Sequence, residues 1–155
     1  MHHAGQMLPF MSLLQRHWPY RPFRPWLSRP TYFVTISCAA HGTNTLCSPA
    51  ISNQLFAAID YYQTLQRWHV SLALLMPDHV HALVSSSENE SIAASCAAWK
   101  RFTARDTNIR WQNGIFNRRV TGRESLEEGA FDIRMTPVRK GLVAQPQNWP
   151  FLRRW

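Results

Sequence analysis

Cysteine is scarce in this chain of 155 residues: Cys38, Cys47 and Cys96 are three, an odd number, with no paired C-x-x-C spacing. No zinc ribbon or disulfide framework is therefore implied, and reduced thiols in a cytoplasmic setting are expected. No stretch is long and apolar enough to cross a membrane. The segment from Met1 to Leu14 has an apolar patch but lacks the charged start and small-residue cleavage site of a signal peptide. Lysine is nearly missing, with Lys100 and Lys140 the only two among 17 basic residues. Internal repeats and low-complexity tracts are also lacking.

What is present is arginine and aromatic surface. Seventeen Lys+Arg against nine Asp+Glu give a formal charge of +8, with seven tryptophans and eight phenylalanines. Arginine offers a rigid fork of donors that suits phosphate and stacks on bases. This composition fits a nucleic-acid-binding domain; a merely soluble basic protein has the same charge. A 45% apolar content supplies the core of one compact domain.

Residues 1–30 carry Pro9, Pro19, Pro22, Pro25 and Pro30 with arginines between them, which predicts an irregular basic arm. Such an arm could track a nucleic-acid backbone or be a loose terminus. A single domain is expected over 31–155. Thr31 to Cys38 reads as a strand and Ala50 to Arg67 as a helix. Trp68 to Leu75 and His79 to Ser85 read as strands joined by the turn Met76-Pro77-Asp78. Ser91 to Asp106 reads as a second helix, Ile115 to Val120 as a basic strand, and Arg123 to Met135 as a third helix with Ser125 as its cap. Thr136-Pro137 ends or kinks that helix, and Gly141 closes a following short piece. The order is β-α-β-β-α-β plus a helix. It predicts an α+β, ferredoxin-like fold: an antiparallel sheet with helices on one face and a further C-terminal helix.

The run Met76-Pro77-Asp78-His79-Val80-His81-Ala82-Leu83-Val84 concentrates the chemistry. Alternate residues of a strand share a face, so His79 and His81 project side by side. Two neutral imidazoles so placed can fill two positions of a divalent metal; a solvated pair is the plain alternative. Leu83 stands where histidine-triad hydrolases need a third alternating histidine. Two-histidine phosphoesterases need a second H-x-[ST] motif on a strand, which is not read here.

This histidine-hydrophobic-histidine strand resembles that of the tyrosine-type HUH single-strand endonucleases, above all the REP-associated tyrosine transposases and related insertion-sequence transposases. The resemblance runs from Tyr32-Phe33-Val34-Thr35 to Trp149-Pro150-Phe151. It includes Trp99-Lys100-Arg101-Phe102-Thr103, Trp111-Gln112-Asn113-Gly114 and Pro137-Val138-Arg139-Lys140-Gly141-Leu142-Val143, in the family's order. It implies that His79 and His81, with a polar residue of the last helix, hold magnesium or manganese against a phosphate of single-stranded DNA. A tyrosine of that helix would form a 5′-phosphotyrosine link. The DNA would be a hairpin with a short guide sequence, and the protein a monomer or homodimer. Lys100, Arg101, Arg105, Arg118, Arg119, Arg139 and Lys140 are the expected DNA contacts.

The chain departs from the family at the nucleophile. Counting back from Pro137, the tyrosine position is Asp132, and the amide position, which in the family supplies the third metal ligand, is Thr136; the two share a helix face. Three readings stay open. Nicking is lost and binding of hairpin DNA remains, as in a decayed or domesticated relative. Alternatively, Asp132 has become a metal ligand, with Glu128 able to join it, and a metal-activated water hydrolyses the phosphodiester. Alternatively, Tyr61 or Tyr62 substitutes, although both lie on the first helix. Asp132 could also simply pair with Arg134 or Arg139.

Overall fold

The computed structural model describes residues 29–155. The arm expected over 1–30 therefore lies, apart from Arg29 and Pro30, outside the described residues. The described elements follow in the order β1 (Thr31–Ser37), α1 (Pro49–Thr64), β2 (Trp68–Leu75), β3 (His79–Ser86), α2 (Ile92–Thr107), β4 (Phe116–Val120), α3 (Gly122–Arg139) and β5 (Leu152–Arg154). A single 3₁₀ turn, Pro146–Asn148, precedes β5. The strands form one antiparallel sheet in the order β4-β1-β3-β2-β5. Its first four strands have the ferredoxin-like arrangement that the element order predicts. Strand β5 is an addition of three residues, too short to show a periodic pattern.

Two apolar layers form because successive strand side chains point to opposite faces. Val34, Ile36, Val80, Ala82 and Val84 face α1 and α2, where Leu55, Ile59, Cys96 and Trp99 complete the larger core. Leu72, Leu74, Met76 and Leu83 face α3, against Ala130 and Ile133. Helices α1 and α2 thus share one face, and α3 has the other. In β2 the alternation changes phase at Ser71, where the pairing jumps from Val70↔Val84 to Leu72↔Leu83. The extra residue is a bulge. It sends Trp68 and Val70, then Ala73 and Leu75, to the α1–α2 face, and leaves the larger Leu72, Leu74 and Met76 for α3.

Helix ends follow local chemistry. The Ser48 side chain caps α1 by accepting from Ile51 N–H, and Pro49 at the first position needs no donor partner. Helix α1 stops at Thr64, short of the expected Arg67, where Gln66 takes φ 56°. Ser91 caps α2 through Ala94 N–H. Helix α3 differs most from expectation: it starts at Gly122 after Thr121, not at a Ser125 cap, and runs through Pro137 to Arg139. Pro137 lies in the last turn, where the helix is already ending. Gly141 N–H donates to Val138 O at 2.9 Å and Leu142 N–H to Pro137 O at 2.9 Å, with Gly141 at φ 73°. This Schellman closure belongs to α3 itself, and no separate helical piece lies between Pro137 and Gly141.

The left-handed backbone at Gly141 penalises any side chain with a β-carbon. Gly141→Ala is expected to cost about 1 kcal/mol, read as a lower urea midpoint with an unchanged slope.

Candidate functional site

Strand β3 places Val80 and Ala82 in the larger core, so His79 and His81 emerge on the opposite, α3-bearing face. Their Nε2 atoms lie 3.1 Å apart. Each Nδ1 has its own partner: Asp78 Oδ1 at 2.7 Å for His79 and Thr35 Oγ1 at 2.9 Å for His81. A carboxylate only accepts, so in neutral His79 the proton sits on Nδ1 and Nε2 is a free lone pair. Asp78 is itself fixed by the Gly42 N–H, 2.7 Å from Oδ2. That backbone donor, followed by His79, holds the Asp78 carboxyl below its ordinary range. Thr35 pairs with His81 across the β1–β3 ladder, and its hydroxyl can donate or accept. When it accepts, His81 Nε2 also becomes a lone pair, and the two imidazoles face one another as acceptors.

Such a pair suits a cation. At the ~2.1 Å nitrogen–metal distance of imidazole ligation, the 3.1 Å separation subtends about 95° at the metal. That is close to the angle between neighbouring ligands of a six-coordinate ion, and both outer nitrogens are anchored as in known histidine metal sites. Only two positions are supplied in this way. Among the described residues, no group of three or more His, Cys, Asp or Glu side chains is gathered to hold a metal. Burial first, then the charges of His79 and Lys140, push His81 down from 6.5 to about 4. His81 is therefore uncharged, and available as a ligand, at neutral pH.

The other candidates divide between the two faces. On the histidine side, Arg118 lies opposite Phe33 in the ladder with its guanidinium 4.8 Å from that ring's centre. Phe33 in turn lies 5.4 Å from the His81 ring. Lys140 caps the end of α3 and is near enough for its charge to act on His81. Arg139 donates from both Nη atoms to Asp132 Oδ1 at 3.2 Å. The Thr136 hydroxyl donates to Asp132 O within the helix. Asp132 and Thr136 thus share a helix flank as the spacing predicts, with Asp132 engaged by Arg139. On the other side of the sheet, Arg101 and Arg105 are exposed on α2, and Arg119 alternates away from Arg118. Lys100 Nζ donates to Gln112 O at 2.9 Å and Gly114 O at 2.8 Å, fastening the turn before β4.

No protein-family model and no curated protein matches the sequence. Among solved structures, a REP-associated tyrosine transposase bound to a REP hairpin superposes with a TM-score of 0.70 at 19% identity, covering 86% of this chain and 81% of that one. A provisionally assigned transposase from Deinococcus radiodurans R1 superposes with a TM-score of 0.50 at 12% identity, covering 79% of this chain and 98% of that one. The chain has the fold of these transposases. The α+β architecture expected from the element order is the architecture they share.

Within this fold the described tyrosines all belong to the face away from the histidines. The Tyr62 hydroxyl donates to Ala98 O, and Tyr61 stacks on Phe102 at 5.4 Å. Tyr32 packs against the α1–α2 core, and Tyr20 is outside the described residues. The chain's two H-x-[ST] triplets near the sheet are also separated. Contrary to the expectation from the sequence, one such motif does lie on a strand: His69-Val70-Ser71 is within β2, with His69 opposite Ser85, whereas His41-Gly42-Thr43 is a loop beside Asp78. Among the described helices, none is long and apolar enough to cross a membrane. Thr35 and Phe33 could not be assigned from sequence, because only the cross-strand register brings them to His81. Asp78 left a clearer signal, a carboxylate directly before the histidine it holds.

The depressed His81 pKa fixes the sign of an acid effect. Between 6.5 and about 4 the unfolded chain protonates this histidine and the folded chain does not. This contribution to stability is complete above pH 6.5 and is lost as pH falls toward about 4. Urea midpoints measured from pH 7 down to about 5, above the range where carboxylates titrate, should fall for the natural chain. They should fall less for His81→Gln.

Proposed function

We propose that this protein is a transposase-like DNA-binding protein that recognises hairpin-forming single-stranded DNA and seats a backbone phosphate at the His79–His81 pair. The observation that carries this reading is the convergence of the two Nε2 atoms, each imidazole anchored from behind, on the face that also presents Arg118 and Lys140. The shared fold with a transposase solved on a REP hairpin supports the same reading. His79 and His81 would hold magnesium or manganese, which when bound polarises a phosphate oxygen. Water and phosphate oxygens would complete the shell, as such ions prefer.

In this reading the protein binds DNA without phosphotyrosine strand transfer. The residue at the family's nucleophile position is Asp132, whose carboxylate is already committed to Arg139. Attack by a carboxylate on phosphorus would give an acyl phosphate, which hydrolyses readily and cannot rejoin DNA efficiently. The other chain-derived parts still have work. Arg118 and Lys140 neutralise phosphate charge, and Asp78 and Thr35 keep the imidazoles oriented.

A cleavage assay tests the reading, using a hairpin-tailed single strand with manganese or magnesium. The natural chain should bind without becoming linked to DNA, and Asp132→Tyr should restore cutting and a covalent 5′ link. Strong linkage by the natural chain would overturn the assignment; an absence of binding would remove the functional reading altogether.

Binding itself should weaken steeply with salt. Each neutralised phosphate of a single strand contributes about −0.7 to the slope of log affinity against log salt. A flat response in a filter-binding titration would argue against arginine-led recognition.

A further inference from the structure

Resting on the DNA-binding reading above, we propose that Phe116 is a stacking platform for an unpaired nucleobase beside the phosphate held at His79–His81. Phe116 is 61% exposed, the most exposed of the large apolar side chains described. It lies opposite Thr35 in the β1–β4 ladder, and Thr35 lies opposite His81 in the β1–β3 ladder. Ladder partners share a face, so the Phe116 ring is on the histidine side. Two strand spacings of ~4.8 Å put it roughly 10 Å from the histidine strand, within the span of a neighbouring nucleotide. Helix α3 crosses the sheet further along, where Gly129 packs over Leu83 and Phe33.

The exposure is not that of a loose segment. Gln112 N–H donates to Ser37 O at 2.8 Å, Cys38 bridges to Trp111, and Lys100 ties down the carbonyls of Gln112 and Gly114. The start of β4 is thus held from three sides, and the ring is presented by a fixed backbone. A preorganised aromatic ring beside cations is what sequence-tolerant base stacking requires. Arg118 lies two residues on, on the same face, to meet the adjoining phosphate. Every base has a π-face, so this site takes an unpaired base without regard to identity. A second copy of the chain fits the same surface poorly. The β4 edge carries Arg118 and Arg119, and antiparallel self-pairing would bring like charges together.

Binding of the full-length chain to two DNAs distinguishes the cases: a blunt hairpin, and the same hairpin with a single-stranded tail containing 2-aminopurine. The natural chain should quench 2-aminopurine at one tail position. Phe116→Ala should abolish that quenching and weaken tailed-hairpin binding between about fivefold and a hundredfold, with blunt-hairpin binding unchanged. Phe116→Trp should restore both. Equal binding and quenching by natural chain and Phe116→Ala would overturn this inference while leaving the DNA-binding reading intact. Failure of the natural chain to bind the tailed hairpin would instead remove that underlying reading. A natural dimer that Phe116→Ala converts to monomer, by sedimentation, would reassign the ring to self-association and likewise overturn the proposal.

Discussion

The antiparallel register of β1 on β3 is the constraint on which the rest of the site depends. It sets Thr35 opposite His81 and Phe33 opposite Leu83, and through β4 it brings Phe116 and Arg118 into the same row. A slip of one residue would turn both imidazoles into the α1–α2 core and send Val80 and Ala82 to solvent. The register is therefore enforced by apolar burial on one face, while its chemical product appears on the other. Folding energy and site geometry are two readings of a single pairing.

The fold was legible because its signals are local. Alternating strands, capped helices and the Pro77-Asp78 turn announce themselves within a few residues. The features that are not legible either carry too little local pattern or defy the usual reading of a local sign. Strand β5 is short. Pro137 normally marks a helix end, but α3 absorbs it because Gly141 supplies the actual stop two residues beyond Arg139. The phase change at Ser71 is invisible in a run as uniformly apolar as Val70-Ser71-Leu72-Ala73-Leu74-Leu75, because either phase looks like a buried strand.

The site was legible only in part, for a related reason. His79, His81 and Asp78 are contiguous and advertise their chemistry together. Thr35 is 46 residues away from its partner, and no spacing rule connects them. The basic residues show the opposite difficulty: composition marks all of them as phosphate ligands, yet the fold gives them different tasks. Lys100 is spent on two carbonyls, Arg139 on a carboxylate, and Arg118 on an aromatic ring. Charge alone says how strongly a surface attracts phosphate, whereas topology decides on which side of the sheet each cation stands.

The pair formed by Asp132 and Arg139 has a genetic consequence. Both side chains are about half exposed, at 47% and 54%, and an ion pair so placed contributes little to stability. Aspartate and tyrosine codons differ by a single base, and a ring at this half-exposed position would meet no packed interior. Under the reading proposed here, loss of the nucleophile is thus neither written deeply into the gene nor guarded by the fold. One base change would suffice to place a tyrosine at position 132, with the scaffold that would receive it still standing.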